Sequence, residues 1–299
     1  MFKFVPIFIL SDYFMLEFIT WNADPVLFSF GAISVRWYGL AFAIGFILGY
    51  EIVARMFKHE GAPEKWLGIL LTYVVVATII GARLGHVFFY DWEYYSNHLG
   101  DIFKIWEGGL ASHGGTIANI IGVIIFSYFV TKKNPSWTFD KLVIPTALVA
   151  GLIRLGNLMN SEIYGAATDL PWGFIFVRDG QTVPAHPTQI YEALCYFVLF
   201  GLLMWLYWKK NAQEHPWLIT GIFFIGIFLP RFIIEYVKNV QEHFEIQMIA
   251  DYGINMGQLL SIPFVILGIV LVVYALCRPR QKWAYPNKFA DEQISKRKK

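Results

Sequence analysis

An apolar stretch that begins near Leu142 ends in a nine-residue segment with four polar residues. They are Arg154, Asn157, Asn160 and Glu162. An arginine inside a lipid-buried segment costs on the order of 2–3 kcal/mol or more, so it usually faces a partner or a water-filled site. Guanidinium groups bind phosphate through planar, bidentate hydrogen bonds. We therefore predict that Arg154 helps to form a phosphate site at the depth of lipid headgroups.

Two further arginines, Arg83 and Arg231, also lie inside apolar runs. Arg231 precedes Glu235 by one helical turn, so these two side chains could neutralise each other as a buried ion pair. Alternatively, three arginines with a single acidic partner among them would make a net positive pocket that attracts an anion. Both interpretations stay open for Arg231, and Arg83, near the end of its run, could instead extend its side chain to the interface.

The composition identifies the surroundings of these residues as lipid. Of 299 residues, 57% are hydrophobic and only 15% are charged, and the mean hydropathy is +0.50. A membrane-crossing helix needs roughly 20 apolar residues, and the apolar runs do not alternate as the strands of a membrane barrel would. We predict an all-α integral membrane protein with about seven transmembrane helices. The predicted helices are 37–54, 66–90, 114–130, 142–159, 190–208, 217–237 and 256–277.

The basic residues give the predicted orientation, because short cytoplasmic loops keep an excess of lysine and arginine. Sixteen of them fall in the connections after the first, third and fifth helices and in the segment 278–299, against five on the other side. The N-terminus is therefore predicted outside and the basic tail 278–299 in the cytoplasm. Residues 1–277 are predicted as one polytopic membrane domain, whose longer outer loops, chiefly 160–189, form a periplasmic head. Residues 1–14 are predicted as either a peripheral amphipathic strap or an overextended reading frame.

Polar side chains on helices of opposite direction gather at one predicted depth. Arg154 and Arg231 each lie 13 or 14 residues into an outward-running helix, which is roughly 20 Å along it. The inward-running helices carry their polar residues at their starts. These residues are Tyr38, His113, His186, Gln189, Tyr191 and Glu192. One polar cavity that opens outwards explains this arrangement. Gly114 and Gly115, at the start of the third helix, would add backbone N–H groups that attract anions to this cavity.

Seven short motifs carry a resemblance to one family. The segment GLIRLGNLMNSEIYG at 151–165 resembles the signature of the prolipoprotein diacylglyceryl transferases. The other motifs, in the order that the family requires, are RWYGL at 36–40, GARLG at 81–85, GGLASHGG at 108–115, HPTQIYEA at 186–193, RFIIE at 231–235 and MGQLLSIP at 256–263. The resemblance covers roughly residues 15–277, which is most of the chain.

The resemblance implies an enzyme that transfers the diacylglyceryl group of phosphatidylglycerol to a cysteine thiol of a prolipoprotein, forming a thioether and releasing glycerol phosphate. A thiol with a pKa of about 8.5 needs a base or a positive field before it can attack. The resemblance implies that His113 is the candidate base, or alternatively that it positions the lipid. It implies that Arg154 and Arg231 bind the phosphate. The residues implied to orient headgroup and substrate are Tyr38, Asn157, Glu162 and Glu235. The residues implied to bind phosphatidylglycerol are Arg154, Arg231, Arg83, Gly114, Gly115, Gly165, His186 and Gln189.

The implied partners are phosphatidylglycerol, signal peptides that bear a lipobox cysteine, and membrane lipid, in a bacterial inner membrane with the active site towards the periplasm. No nucleic acid, cofactor or metal is expected, because no metal-ligand cluster is visible in the sequence. A transporter or channel for an anionic headgroup or solute is the alternative of a different class, because polar residues within spans often mark a substrate path. Such a path would continue towards the cytoplasmic side, where the predicted helices are apolar.

The predicted topology can be tested by labelling. A cysteine introduced between Asn160 and Gln189 should react with a membrane-impermeant maleimide from outside intact spheroplasts, because this connection is predicted on the outer side. The parent chain, whose Cys195 and Cys277 fall inside predicted helices, controls for background labelling. Labelling only after lysis would overturn the orientation and, with it, the outward-facing cavity.

Overall fold

The computed structural model describes residues 18–31, 33–239 and 243–281. The helices are α1 (Trp37–His59), α2 (Lys65–Phe89), α3 (Trp92–Asn97), α4 (Ser112–Phe126), α5 (Ser136–Met159), α6 (Thr188–Lys210), α7 (Leu218–Ile234), α8 (His243–Tyr252) and α9 (Met256–Leu276). The strands are β1 (Ile19–Trp21), β2 (Val26–Phe30), β3 (Ile33–Arg36) and β4 (Phe174–Phe176). Residues 1–14, predicted as a strap or an overextended reading frame, and the predicted tail from residue 282 onwards lie outside the described residues.

Seven helices are long and apolar enough to cross a membrane, which confirms the predicted number and makes the chain a multi-pass membrane protein. They are α1, α2, α4 with the π-helical turn Ser127–Thr131, α5, α6, α7 with the 3-10 turn Glu235–Val237, and α9. Helix α1 continues to His59, five residues beyond the predicted end, because the residues that follow the apolar run, such as Arg55 and Lys58, are good helix formers in water.

Two small sheets add to the helices, and the sequence analysis did not predict them. Strands β2 and β3 form an antiparallel hairpin just before α1, while β1 pairs in parallel with β4. The second pairing ties residues 19–21 to the long connection between α5 and α6. Strands of three to five residues are too short to show a clear period of two, so no sequence pattern marks them.

An apolar core lies beneath the connection between α5 and α6. Its buried members are Leu158, Phe174, Phe176 and Ala185. The indole N–H of Trp21 donates to the carbonyl of Leu158 at 2.9 Å, so the strand β1 is bonded directly to the last turn of α5. The connection is therefore an ordered structure that can hold side chains in place.

The packing divides the chain into two interleaved units. The first contains the described residues up to Glu51 together with Leu142–Pro279, and the second contains Ile52–Lys141. Within the first unit, α7 packs closely along α9, with the rings of Phe228 and Phe264 stacked 4.4 Å apart between centroids. No linker in the sequence announces this division, because its boundaries fall inside the helices α1 and α5.

In the second unit, α2 and α4 touch through glycine. A Cβ atom on Gly114 would lie only 2.3 Å from the carbonyl oxygen of Gly81, and one on Gly81 would lie 2.2 Å from the Cβ of Ala118. Such close backbone approach is typical of membrane helices that cross at small residues. Gly114, predicted to bind substrate, therefore has a packing role that any side chain would disrupt.

The second unit also buries an ion pair that the sequence analysis did not predict. Lys141, which was counted as a loop residue, is 1% exposed, and its Nζ lies 2.9 Å from Oε1 of Glu60. The indole of Trp137 donates to the other oxygen of Glu60 and lies beneath the Lys141 ammonium at 4.0 Å. Removing one partner of such a pair would leave a buried charge uncompensated.

Candidate active site

Arg154, near the C-terminal end of α5, faces Glu192 of α6. Its Nε lies 2.6 Å from Oε2 of Glu192, whose side chain is only 1% exposed. In the described part of the chain Oε2 has no hydrogen-bond partner, so the contact is a charge pair and not an aligned hydrogen bond. A buried carboxylate is stable only next to a compensating cation, so Glu192 fixes the position of the Arg154 guanidinium.

The same carboxylate binds a second cation. Nζ of Lys238, which is 3% exposed, lies 3.1 Å from Oε1 of Glu192 and 3.2 Å from Oε2 of Glu235. Glu235 is thus paired with Lys238, and residues 18–31, 33–239 and 243–281 contain no ion pair between Glu235 and Arg231. The hypothesis of an Arg231 and Glu235 pair is therefore wrong, because Lys238, one turn further on, reaches the carboxylate.

On its other side, Arg154 contacts the signature asparagine. Nη1 of Arg154 donates to Oδ1 of Asn157 at 3.4 Å, and Nδ2 of Asn157 donates to Oε1 of Glu162 at 2.8 Å. Nδ2 of Asn160 donates to the same Glu162 oxygen at 3.0 Å. The polar residues that the sequence analysis singled out therefore form one connected network with Arg154, as their spacing led us to expect.

The signature loop that follows α5 has a strained backbone. Ser161 and Ile163 have φ angles of 57° and 62°, which cost about 1–3 kcal/mol in side chains other than glycine. The first turn of α6 holds the loop in this form. The hydroxyl of Thr188 donates to the carbonyl of Ile163 at 2.8 Å, and Nε2 of Gln189 donates to the carbonyl of Glu162 at 2.6 Å. Gln189, predicted to bind substrate, thus positions Glu162.

The end of this loop is anchored in the head. A Cβ atom on Gly165 would lie 2.3 Å from the carbonyl oxygen of Val237, so only glycine fits there. The ring of Tyr164 stacks on Phe176 with centroids 4.7 Å apart. Burial, followed by the hydrogen bond to Asp179, raises the pKa of Tyr164 to about 12. Tyr164 therefore stays neutral at physiological pH as part of the scaffold.

Two more predicted residues lie beside the signature segment. The ring of Tyr38 packs against α5 at Gly156, where an added Cβ would lie 2.9 Å from Cδ2 of Tyr38. The backbone carbonyl of His186 accepts the N–H of Gly165 at 2.8 Å, and its Nδ1 lies 3.2 Å from the hydroxyl of Tyr191. Burial lowers the pKa of His186, so this imidazole is neutral at pH 7.

Arg231 contributes a further cation to this unit. The Tyr196 hydroxyl lies in the combined field of Glu192, Arg154 and Arg231. The side chain of Arg231 is partly buried, and it has no ion pair with any residue that the structure describes. Its guanidinium is therefore the cation of the cluster whose charge is least compensated by protein groups.

The cluster is balanced and not net positive, which corrects the sequence-based expectation. Its three cations are Arg154, Arg231 and Lys238. They are equal in number to its three carboxylates, which are Glu162, Glu192 and Glu235. The sequence analysis considered a single acidic partner, Glu235, for the three arginines. It treated Glu192 as one of several polar residues of the cavity, and it assigned Lys238 to an outer loop. An acidic residue inside an apolar helix was the signal that could have identified Glu192 as a partner.

Arg83 has a structural role that the sequence analysis did not predict. It is 3% exposed, and its guanidinium donates to the carbonyls of Ile102 at 2.8 Å, Gly108 at 2.7 Å and Asp101 at 2.5 Å. It also lies 5.0 Å from the ring centroid of Tyr95. These bonds use most of its donors, so Arg83 orders the connection between α2 and α4, and its part in binding phosphatidylglycerol stays a prediction.

His113 stands in the first turn of α4, in the second unit, with an exposed side chain. The rings of Phe89 and Tyr90 lie 5.7 Å and 5.5 Å from its ring, so the imidazole is held by aromatic contacts. The N–H of Gly115 donates to the carbonyl of Ala111 at 3.2 Å, which is an ordinary first bond of the helix. Among the described residues, no group of three or more histidine, cysteine or carboxylate side chains could hold a metal ion.

Comparisons with known proteins identify the family of this chain. The family model for prolipoprotein diacylglyceryl transferase matches residues 25–274. The phosphatidylglycerol–prolipoprotein diacylglyceryl transferase of Porphyromonas gingivalis is 54% identical over 272 residues, covering 88% of this chain and 96% of that protein. Proteins of the same name from Tolumonas auensis and Chloroherpeton thalassium are 47% and 43% identical, covering 85% and 86% of this chain and 96% and 94% of their own. The chain belongs to the prolipoprotein diacylglyceryl transferase family.

Proposed function

We propose that this protein transfers the diacylglyceryl group of phosphatidylglycerol to the lipobox cysteine of prolipoproteins. The observation that carries the proposal is the network around Arg154, in which Glu192 and Asn157 orient the guanidinium, with Arg231 as a second arginine of the same unit. The relatives named above are transferases of this kind. A transporter is not favoured, because the relatives of this chain are named as transferases. A transport path also has no need for two arginines held in a fixed orientation.

The phosphate of the donor lipid would bind to Arg154 and Arg231. Glu192 contacts only the Nε side of Arg154, which leaves Nη hydrogens for a planar fork on phosphate oxygens. In the reaction, the cysteine thiolate attacks the glycerol carbon that bears the phosphate ester. The S–C bond forms as the C–O bond breaks, and the electron pair leaves with glycerol phosphate. Fixed guanidinium groups stabilise this leaving charge most strongly in the transition state.

The glycerol hydroxyls of the headgroup would find acceptors around the signature loop. Three buried oxygen atoms there have no hydrogen-bond partner within the described residues, namely Asn160 Oδ1, Ser161 Oγ and Gln189 Oε1. Buried polar atoms are normally bonded, so a cluster of unbonded acceptors favours a ligand that carries hydroxyl donors. Phosphatidylglycerol has both parts, the phosphate for the arginines and the hydroxyls for these oxygens.

The thiol proton needs an acceptor, and we retain His113 as the candidate, with lipid positioning as its alternative. Its exposed imidazole at the start of α4 has the right chemistry for a general base. Tyr38, Asn157, Glu162 and Glu235 orient the headgroup or the arginines in this proposal, and Gly114, Gly115, Gly165, His186 and Gln189 shape the binding site. We place the protein in a bacterial inner membrane with the site towards the periplasm, as the basic residues predict.

The direct test is a transfer assay. Purified protein is incubated with phosphatidylglycerol vesicles and a peptide that bears a lipobox cysteine, and the peptide mass is measured. We expect the mass of a diacylglyceryl adduct with phosphatidylglycerol and far less with phosphatidylethanolamine, because its ammonium group adds a cation beside the arginines and lacks the glycerol hydroxyls. A peptide with serine in place of cysteine is the control. Equal transfer from the two lipids would refute the proposed headgroup recognition.

A second test separates charge from geometry at Arg154. Arg154→Lys keeps the cation for Glu192 but removes the planar fork. We expect a loss of about 2–4 kcal/mol of transition-state stabilisation, comparable to removing an oxyanion-hole donor, with normal expression. That is roughly a hundredfold or more in transfer rate with phosphatidylglycerol and the lipobox peptide.

The matched control is Arg178→Lys. Arg178 also pairs with a carboxylate, Asp24, at 2.9 Å, but it is 41% exposed in the head and outside the network. Its substitution should leave the transfer rate nearly unchanged. A well-expressed Arg154→Lys variant that transfers at close to the parental rate would reduce Arg154 to a structural charge.

A further inference from the structure

A cavity of about 440 Å³ opens at the C-terminal end of the third spanning helix, Ser112–Thr131. His113 stands at the other end of this helix. Four residues line the cavity, which are Tyr128, Phe129, Lys132 and Lys133. It lies in the second unit, whereas Arg154 and its network belong to the first. The proposed transfer reaction uses none of these four residues.

The cavity is built on an ordered turn. The helix α4 ends in the π-helical turn Ser127–Thr131, and Lys132 then adopts a φ of 55°, which a side chain other than glycine rarely takes. The hydroxyl of Thr131 accepts the backbone N–H of Lys133 at 3.2 Å, and Oδ1 of Asn134 accepts that of Ser136 at 3.0 Å. These bonds fix the turn, so the two lysines are presented in a set geometry.

The lining combines two aromatic rings with two cations. Tyr128 and Phe129 are 74% and 66% exposed, as expected for rings that face lipid at the end of a membrane-crossing helix. Lys132 is exposed, while Lys133 is partly buried with Nζ 5.9 Å from the ring centroid of Trp137. Burial lowers the pKa of Lys133, and the charge of Glu60 opposes this shift. Glu60 also pairs with Lys141 at 2.9 Å, and the exposed Lys132 adds a second cation to the lining.

We propose that this cavity binds the phosphate of an anionic phospholipid headgroup, with the rings of Tyr128 and Phe129 against its glycerol and upper acyl chains. The position supports a lipid, because the cavity lies at the end of a membrane-crossing helix, where headgroups meet the protein. Exposed aromatic rings concentrate at this depth, and basic pockets at helix ends bind anionic headgroups. The site is separate from the substrate site, so it would hold a lipid that is not consumed.

Native mass spectrometry of the full chain in detergent can measure this binding. The protein is titrated with phosphatidic acid or with phosphatidylcholine of the same acyl chains, and the dissociation constant of the tightest lipid is read from the bound fraction. We expect Lys132→Gln/Lys133→Gln to weaken phosphatidic acid binding by about thirtyfold, from the typical contribution of each basic residue near a headgroup. Phosphatidylcholine binding should hardly change.

The matched control is Lys209→Gln/Lys210→Gln. These lysines also end a membrane-crossing helix, and Nζ of Lys210 lies 5.0 Å from the ring centroid of Trp205, but they do not line the cavity of Tyr128, Phe129, Lys132 and Lys133. This variant should keep the parental affinity. An equal loss in both double variants would show only general surface charge, and no loss in either would exclude the site.

Two further variants guard against a folding defect. Lys132→Gln alone changes an exposed side chain, and we expect about a fivefold loss of phosphatidic acid affinity. Lys132→Arg/Lys133→Arg keeps both charges and should bind within a factor of about two of the parent. Parental affinity in Lys132→Gln, or a loss in the arginine variant as large as in the glutamine variant, would overturn the proposal.

Discussion

The site depends on one buried carboxylate. Glu192 is almost fully enclosed, yet its two oxygens face two cations, Arg154 at 2.6 Å and Lys238 at 3.1 Å. Taking a carboxylate out of water costs several kcal/mol unless cations compensate it, so the three charged side chains are mutually dependent. Because these residues come from α5, from α6 and from the segment after α7, their pairing ties three parts of the first unit together at the level of the signature loop.

The remaining features of the site follow from holding Arg154 in one orientation. Glu192 takes the Nε side, Asn157 contacts Nη1, and the strained loop after α5 keeps Glu162 beside Asn157. The first turn of α6 supplies both Glu192 and the bonds that hold this loop, so one helix start controls both sides of the arginine. Rigid donors suit a reaction in which glycerol phosphate is the leaving group, because they need not reorganise as charge develops on the phosphate.

Much of the fold could be predicted from the sequence, because apolar runs of about 20 residues have no other stable state than a spanning helix. The connected network of Arg154, Asn157 and Glu162 was also foreseeable, since spacings of three to five residues bring side chains together at a helix end. The balance of charge in the cluster could not be predicted, because it depends on Lys238, which lies 84 residues from Arg154 in the sequence. Arg83 shows the same limit: its partners are backbone carbonyls, which no pattern of residue types reveals.

The most direct test of this account is a double-mutant cycle between Glu192 and Lys238, read as the transfer rate kcat/KM with phosphatidylglycerol and a lipobox peptide. Glu192→Gln leaves two buried cations without their shared partner, and Lys238→Gln leaves carboxylates without theirs. If the carboxylate works through charge, the double variant should lose less than the sum of the two single losses, with a coupling of about 1–3 kcal/mol. Losses that add within about 0.5 kcal/mol would contradict the claim that Glu192 joins the two cations into one catalytic support.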